Sequence, residues 1–219
     1  MRRVSATEMF AIAERLNRPL QWFVMEEIPA AISRRTDAGF DPDVTTHMDE
    51  SIELLADDVR SLLRKGLIAA EKRPRSAVPN SHAEAERIAH ETRQRIGLGD
   101  DPLADLLSVC EKLGLYAFVG NYGQSSDGAC VTVDSGGGDA VAVAVINAEQ
   151  PPGRKRVTLA HELAHWLIGD AYDAHSSDSE AMVKSVAIHF LIPRAGAAKL
   201  WADFPHDSPR RRAIRIAAT

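Results

Sequence analysis

Val157-Thr158-Leu159-Ala160-His161-Glu162-Leu163-Ala164-His165-Trp166-Leu167-Ile168 is the stretch on which the reading of this chain turns. Only Thr158, His161, Glu162 and His165 are polar in it, and on a helix they fall within an arc of about 100°. The rest of the surface of such a helix is apolar, so the helix belongs in a core. Three ionisable side chains on a buried helix are costly unless something satisfies them, and a metal ion does so. His161 and His165 stand one turn apart on one face and can offer two ring nitrogens to one ion. Glu162 is rotated away from that pair, where it suits a general base acting on a water at the metal. The HExxH spacing thus points to zinc and to hydrolysis.

Two histidines do not complete a zinc site. A metzincin arrangement needs Gly and His three and six residues beyond the second histidine, but Ile168 and Ala171 stand there. A carboxylate from a following helix is the next choice. Residues 179–192 read as a helix ending at Pro193, with Glu180, Val183, Ala187 and Leu191 on one face. A carboxylate on an otherwise apolar face needs a partner, which makes Glu180 the leading third ligand. Asp173, His175 and Asp178 are the alternatives. Tyr172 and His175, in the loop between the two helices, are candidates for stabilising the transition state. His189 falls on the face opposite Glu180 and is read as a surface or packing histidine.

Upstream, three β segments precede the histidine helix, at 115–120, 128–134 and 140–147, separated by turn-rich sequence. Two helices precede these, over 82–96 and 102–113. The stretch 71–81, EKRPRSAVPNS, carries two prolines and four charges and reads as a boundary. Before it lie an amphipathic helix over 49–67, a linker over 27–48 containing Pro29, Gly39 and Pro42, and a helical stretch over 5–26 interrupted at Asn17-Arg18-Pro19. The expected organisation is α+β. A helical region covers 1–72, a zincin-like peptidase domain covers 80–205, and a basic C-terminal segment covers 206–219. The 140–147 run, AVAVAVIN, reaches the site through one loop and is the strand expected to offer an edge to an extended peptide.

Taken together, residues 80–195 resemble the ImmA/IrrE family of bacterial metallopeptidases. The resemblance rests on VINAEQPPGRKRVTLAHELAHWLIGD and SEAMVKSVAIHFLIPR. It implies His161, His165 and Glu180 as zinc ligands, Glu162 as catalytic base and Pro193 as the closing proline of the pattern. Lys184 departs from it, because Asn or Asp commonly stands there and supports a ligand histidine. The resemblance also implies a protein substrate, typically a transcriptional repressor cleaved under stress or during mobilisation of a genetic element. Residues 2–24 are similar to the closing part of a phage-repressor-type helix-turn-helix domain, without the helix that reads DNA.

Composition narrows the alternatives. The net charge of −5 gives no overall basic footprint for nucleic acid, and residues 1–75 hold 12 Lys/Arg against 13 Asp/Glu. Sequence-specific DNA binding by this chain is therefore not expected. Two cysteines, Cys110 and Cys130, make no disulfide framework and are read as buried thiols. No apolar run reaches the roughly 20 residues of a membrane span, and the N-terminus lacks the apolar core of a secretory signal. The expected location is the cytoplasm. Two other classes stand beside the endopeptidase reading. One is a metal-containing transcription regulator, which needs a complete helix-turn-helix. The other is an antitoxin-like interaction protein with zinc as a staple, which needs a closed site of four protein ligands.

Overall fold

Asp139–Asn147, DAVAVAVIN, forms the strand around which the other elements are arranged, and its alternation explains the layering. In a computed structural model, residues 5–16, 32–35, 42–72, 77–123, 127–136, 139–169 and 177–217 are described. Among them the chain is α+β, with eight helices and five strands. In order these are α1 (Ala6–Arg15), β1 (Ile32–Arg35), α2 (Pro42–Arg64), β2 (Glu71–Lys72), α3 (His82–Arg95), α4 (Leu106–Lys112), β3 (Leu115–Gly120), β4 (Gly128–Gly136), β5 (Asp139–Asn147), α5 (Pro152–Ile168), α6 (Ser177–Leu191), α7 (Arg194–Ala202) and α8 (Pro209–Ala217).

β5 pairs antiparallel with β4 along its length, and parallel with β3 from Leu115↔Ala142 to Gly120↔Asn147. The two-residue β2 continues the β3 side at Glu71↔Ala140, and β1 pairs antiparallel with the outer side of β4. β5 is therefore central, not the open edge expected from the sequence. Its continuous apolar run is what a strand buried on both faces requires. Ala140, Ala142, Ala144 and Ile146 face one layer, while Val141, Val143 and Val145 face the other. The small alanines leave room for the large side chains of α5 and α6, including Leu163, Trp166 and Phe190.

The valine face is covered by α2. Met48, Ile52, Ala56 and Val59 recur at helical spacing and are 0–4% exposed. Burying Met48, Ile52 and Val59 stabilises the structure by roughly 5–9 kcal/mol before entropy is counted. The packing thus runs across the boundary expected at 71–81, and α2 supplies one of the sheet's two helical covers. The stretch expected as a linker over 27–48 also differs in its described part. It contains β1 and the start of α2, with Pro42 at the first helical position, where the missing N–H costs nothing.

α1 opens with a capping box, in which the Ser5 hydroxyl accepts from the Glu8 N–H and the Ser5 N–H donates to Glu8 Oε2 at 2.9 Å. It ends at Leu16, before the break expected at 17–19. The second half of that expected helical stretch lies outside the described residues. α4 starts later than expected because the Asp105 carboxylate caps it, accepting from the Ser108 N–H at 3.0 Å. Past Pro193, α7 and α8 continue the chain as helices. The basic segment expected over 206–219 contains α8, where Arg215 lies over the Phe204 ring and Arg212 over Trp201. No described helix is long and apolar enough to cross a membrane. Cys110 and Cys130 are both buried thiols, as expected.

Candidate metal centre

α5 carries the polar arc and is fixed at both ends. Gly169 ends it in the left-handed conformation, φ 70°, with its N–H donating to the His165 carbonyl. Near that end the Trp166 indole N–H donates to Leu113 O at 2.6 Å and ties α5 to the start of β3. At the other end the first turn carries Arg154, Lys155 and Arg156, a charge opposite to the one the helix dipole favours there. Each is held elsewhere. Arg154 donates to Asp127 Oδ2 from Nε at 3.0 Å, Lys155 reaches Ala148 O, and Arg156 reaches Leu103 O. The Arg154–Asp127 pair pins the start of β4 to α5. Gly128 then lies so close that a Cβ there would meet Thr158 Cγ2 at 2.7 Å and Val145 O at 2.9 Å.

α6 packs along both α5 and α3. His82 Nδ1 and Ser185 Oγ share a hydrogen bond of 2.9 Å, and Arg93 donates to Phe190 O at 2.7 Å. Val183, Val186, Ala187 and Phe190 are buried in the interface. This packing brings the first turn of α6, with Glu180, over the two histidines. His161 Nε2 lies 3.3 Å from Glu180 Oε2, and His165 Nε2 lies 3.4 Å from Glu180 Oε1. The two Nε2 atoms are 3.2 Å apart, with the rings edge to face at 82°. His161, His165 and Glu180 form the one group among the described residues in which three potential metal donors converge.

The electrostatics match that geometry. His161 and His165 are 6% and 4% exposed and Glu162 is 0% exposed, while the Glu180 side chain is 39% exposed and forms the solvent side of the group. Hydrogen bonds from His161 and then His165 hold the Glu180 carboxyl well below the usual carboxylate range, against the opposing effect of burial. Glu162 lies outside the converging group, as its angular position on α5 requires. His161 Nδ1 is buried with no hydrogen-bond partner among the described residues. A ligand histidine is usually held at that second nitrogen. Lys184, standing where Asn or Asp is common, is exposed and does not fill the role. Tyr172, Asp173 and His175 lie outside the described residues, as does the side chain of Asp178. His189 is half-buried and lines a surface pocket with His90 and Asp100, away from the group.

The sequence reading missed the Arg154–Asp127 clamp, although three basic residues in a helix's first turn were a cue that each needed a partner. It also missed Gly128, whose lack of a side chain lets β4 approach Thr158.

Among curated proteins none matches the chain. Residues 110–218, from α4 through both histidines and Glu180 to α8, match the model of the IrrE N-terminal-like domain, Peptidase_M78. Through that segment the chain belongs to the IrrE N-terminal-like family of metallopeptidases.

Proposed function

We propose that this chain is a zinc-dependent endopeptidase, with His161, His165 and Glu180 as metal ligands and Glu162 as general base. The observation that carries the reading is the set of separations 3.2, 3.3 and 3.4 Å among the three donors. A tetrahedral ion bound at about 2.0–2.1 Å sets its ligands about 3.3–3.4 Å apart, so these residues fit zinc with little rearrangement. Two imidazoles and one carboxylate leave a fourth position, the arrangement of catalytic sites, whereas structural sites close with four protein ligands. This favours an enzyme over a stapled interaction protein.

Bound there, the ion supplies polarisation of the scissile carbonyl and acidification of the attacking water. The residues of the chain do the rest. A Glu162 carboxylate oxygen takes the proton of the attacking water and returns it to the departing amide nitrogen. Glu162 is fully buried and both histidines nearly so, so charges there act at low dielectric. Glu180 holds its charge because both histidines face it. The partly exposed side at Glu180 is where substrate enters.

The substrate is a protein, and resemblance to the ImmA/IrrE peptidases favours a transcriptional repressor. The two buried thiols accord with action in the cytoplasm. Co-expression with repressors encoded beside the gene, followed by mass spectrometry of fragments, identifies the substrate. Glu162→Gln then tests the mechanism. The variant is expected to keep its metal and lose roughly 10²- to 10⁴-fold in cleavage rate. Undiminished cleavage would remove Glu162 from the reaction.

A further inference from the structure

With β5 in the centre of the sheet, the edge next to the metal centre is the outer side of β4. Its first residues lie against α5. Asp127 is tied to Arg154, and Gly128 lies under Thr158, one turn before His161 and Glu162 and on the same arc of α5. An extended peptide that adds a strand there would run past the catalytic groups. That stretch of β4 is occupied. β1 pairs with it antiparallel, in the register Ile32↔Val131, Ser33↔Cys130, Arg34↔Ala129 and Arg35↔Gly128. The backbone groups of 128–131 that an incoming strand needs are thus committed to a segment of the same chain.

Two features make β1 a displaceable occupant. It is four residues long, against nine each for β4 and β5, so its ladder holds it weakly. It also lies outside the matched family segment, which begins at residue 110, and comes from the sequence between Pro29 and Gly39. We infer that Ile32–Arg35 is an internal competitor for the substrate strand, which holds the peptidase in a latent state until it is displaced from the β4 edge. The effect on cleavage rests on the peptidase reading above, but the occupancy of the edge does not.

The test uses the full zinc-loaded chain in two variants. Antiparallel partners lie about 4.5–5.5 Å apart at Cα, within the span of a disulfide, so Ser33→Cys is positioned to crosslink to native Cys130. In Ser33→Pro/Arg34→Pro one of the two adjacent missing N–H groups must face β4, so the strand is released. Two probes are read on each form. One is cleavage of fluorescein-labelled casein. The other is binding of the labelled synthetic peptide PAAISRRTDA, the sequence of residues 29–38, with hydrogen exchange at 128–131 as its footprint.

The expected result is that the Ser33→Cys variant forms a disulfide to Cys130 on oxidation. Casein cleavage falls at least tenfold in the crosslinked form and recovers on reduction, and the double-proline variant exceeds wild type severalfold. The peptide binds the double-proline variant, slows exchange at 128–131 and does not bind the crosslinked form. Absence of the crosslink overturns the proposal, because β1 is then not seated on β4. Equal peptide binding to crosslinked and released forms overturns it as well. If the peptide behaves as expected while no form cuts casein, the competitor stands and the peptidase reading is the part that fails.

Discussion

Arg93→Ala tests how the helix that carries Glu180 is held in place. Arg93 is 2% exposed, and its guanidinium faces no carboxylate at hydrogen-bonding distance among the described contacts. It donates instead to three main-chain carbonyls. Nε and Nη2 reach Gly99 O at 2.9 and 2.6 Å, Nη2 reaches Asp101 O at 2.5 Å, and Nη1 reaches Phe190 O at 2.7 Å in the last turn of α6. Burial pulls its pKa below the ordinary guanidinium value, opposed by the charges of Asp100 and Asp101. Hydrogen bonds from a charged donor net about 1.5–3 kcal/mol each, less the cost of burying the charge. Removing the side chain leaves three carbonyls in a closed space, at about 1–3 kcal/mol each, part of which entering water recovers. The net expectation is a loss of about 3–5 kcal/mol, the range seen when one side of a buried charged contact is deleted. For a chain of 219 residues, at roughly 2–4 °C per kcal/mol, the midpoint falls by about 6–20 °C. Arg93→Lys keeps the charge but cannot fork to three acceptors, so it falls between wild type and Arg93→Ala. Thermal unfolding followed by circular dichroism measures both. An Arg93→Ala midpoint within about 2 °C of wild type would refute the account of how α6 is anchored.

Two further outcomes follow from the packing. Gly128→Ala forces a methyl group against Thr158 Cγ2 and Val145 O, at 2.7 and 2.9 Å, and is expected to cost about 1–3 kcal/mol in denaturant unfolding. An unchanged midpoint would mean that β4 does not lie against α5 as described. Burial pushes the Cys110 thiol up to about 12, so at pH 8 only about one molecule in 10⁴ carries the thiolate there. Iodoacetamide should leave Cys110 unmodified in the native protein and label it in urea, and native labelling within minutes would contradict its burial.

The site was legible in the sequence where a local period carried it. The polar arc of 158–165 on an otherwise apolar helix announces itself without tertiary information, and Glu180 sits on a face completed by Val183 and Ala187. What the sequence hid depends on pairing at a distance. AVAVAVIN reads equally as an edge near the site and as a central strand. Its unbroken apolar run was the better guide, because an edge strand keeps one wet side. The stripe Met48, Ile52, Ala56 and Val59 declared an amphipathic helix but not its partner, so α2 was assigned to a separate region. Ile32–Arg35 has the composition of a linker, and its pairing with β4 is set by tertiary placement. Nothing local in the sequence marks Arg93 as a guanidinium that caps the end of another helix.

On the peptidase reading, His161, His165 and Glu180 hold one zinc ion between them. Elemental analysis by mass spectrometry, on wild type, His161→Ala and Glu180→Ala purified side by side after exchange against a weak chelator, tests it most directly. About one zinc per chain is expected in wild type, and about a tenth of that or less in either variant. Equal zinc in all three proteins would contradict it.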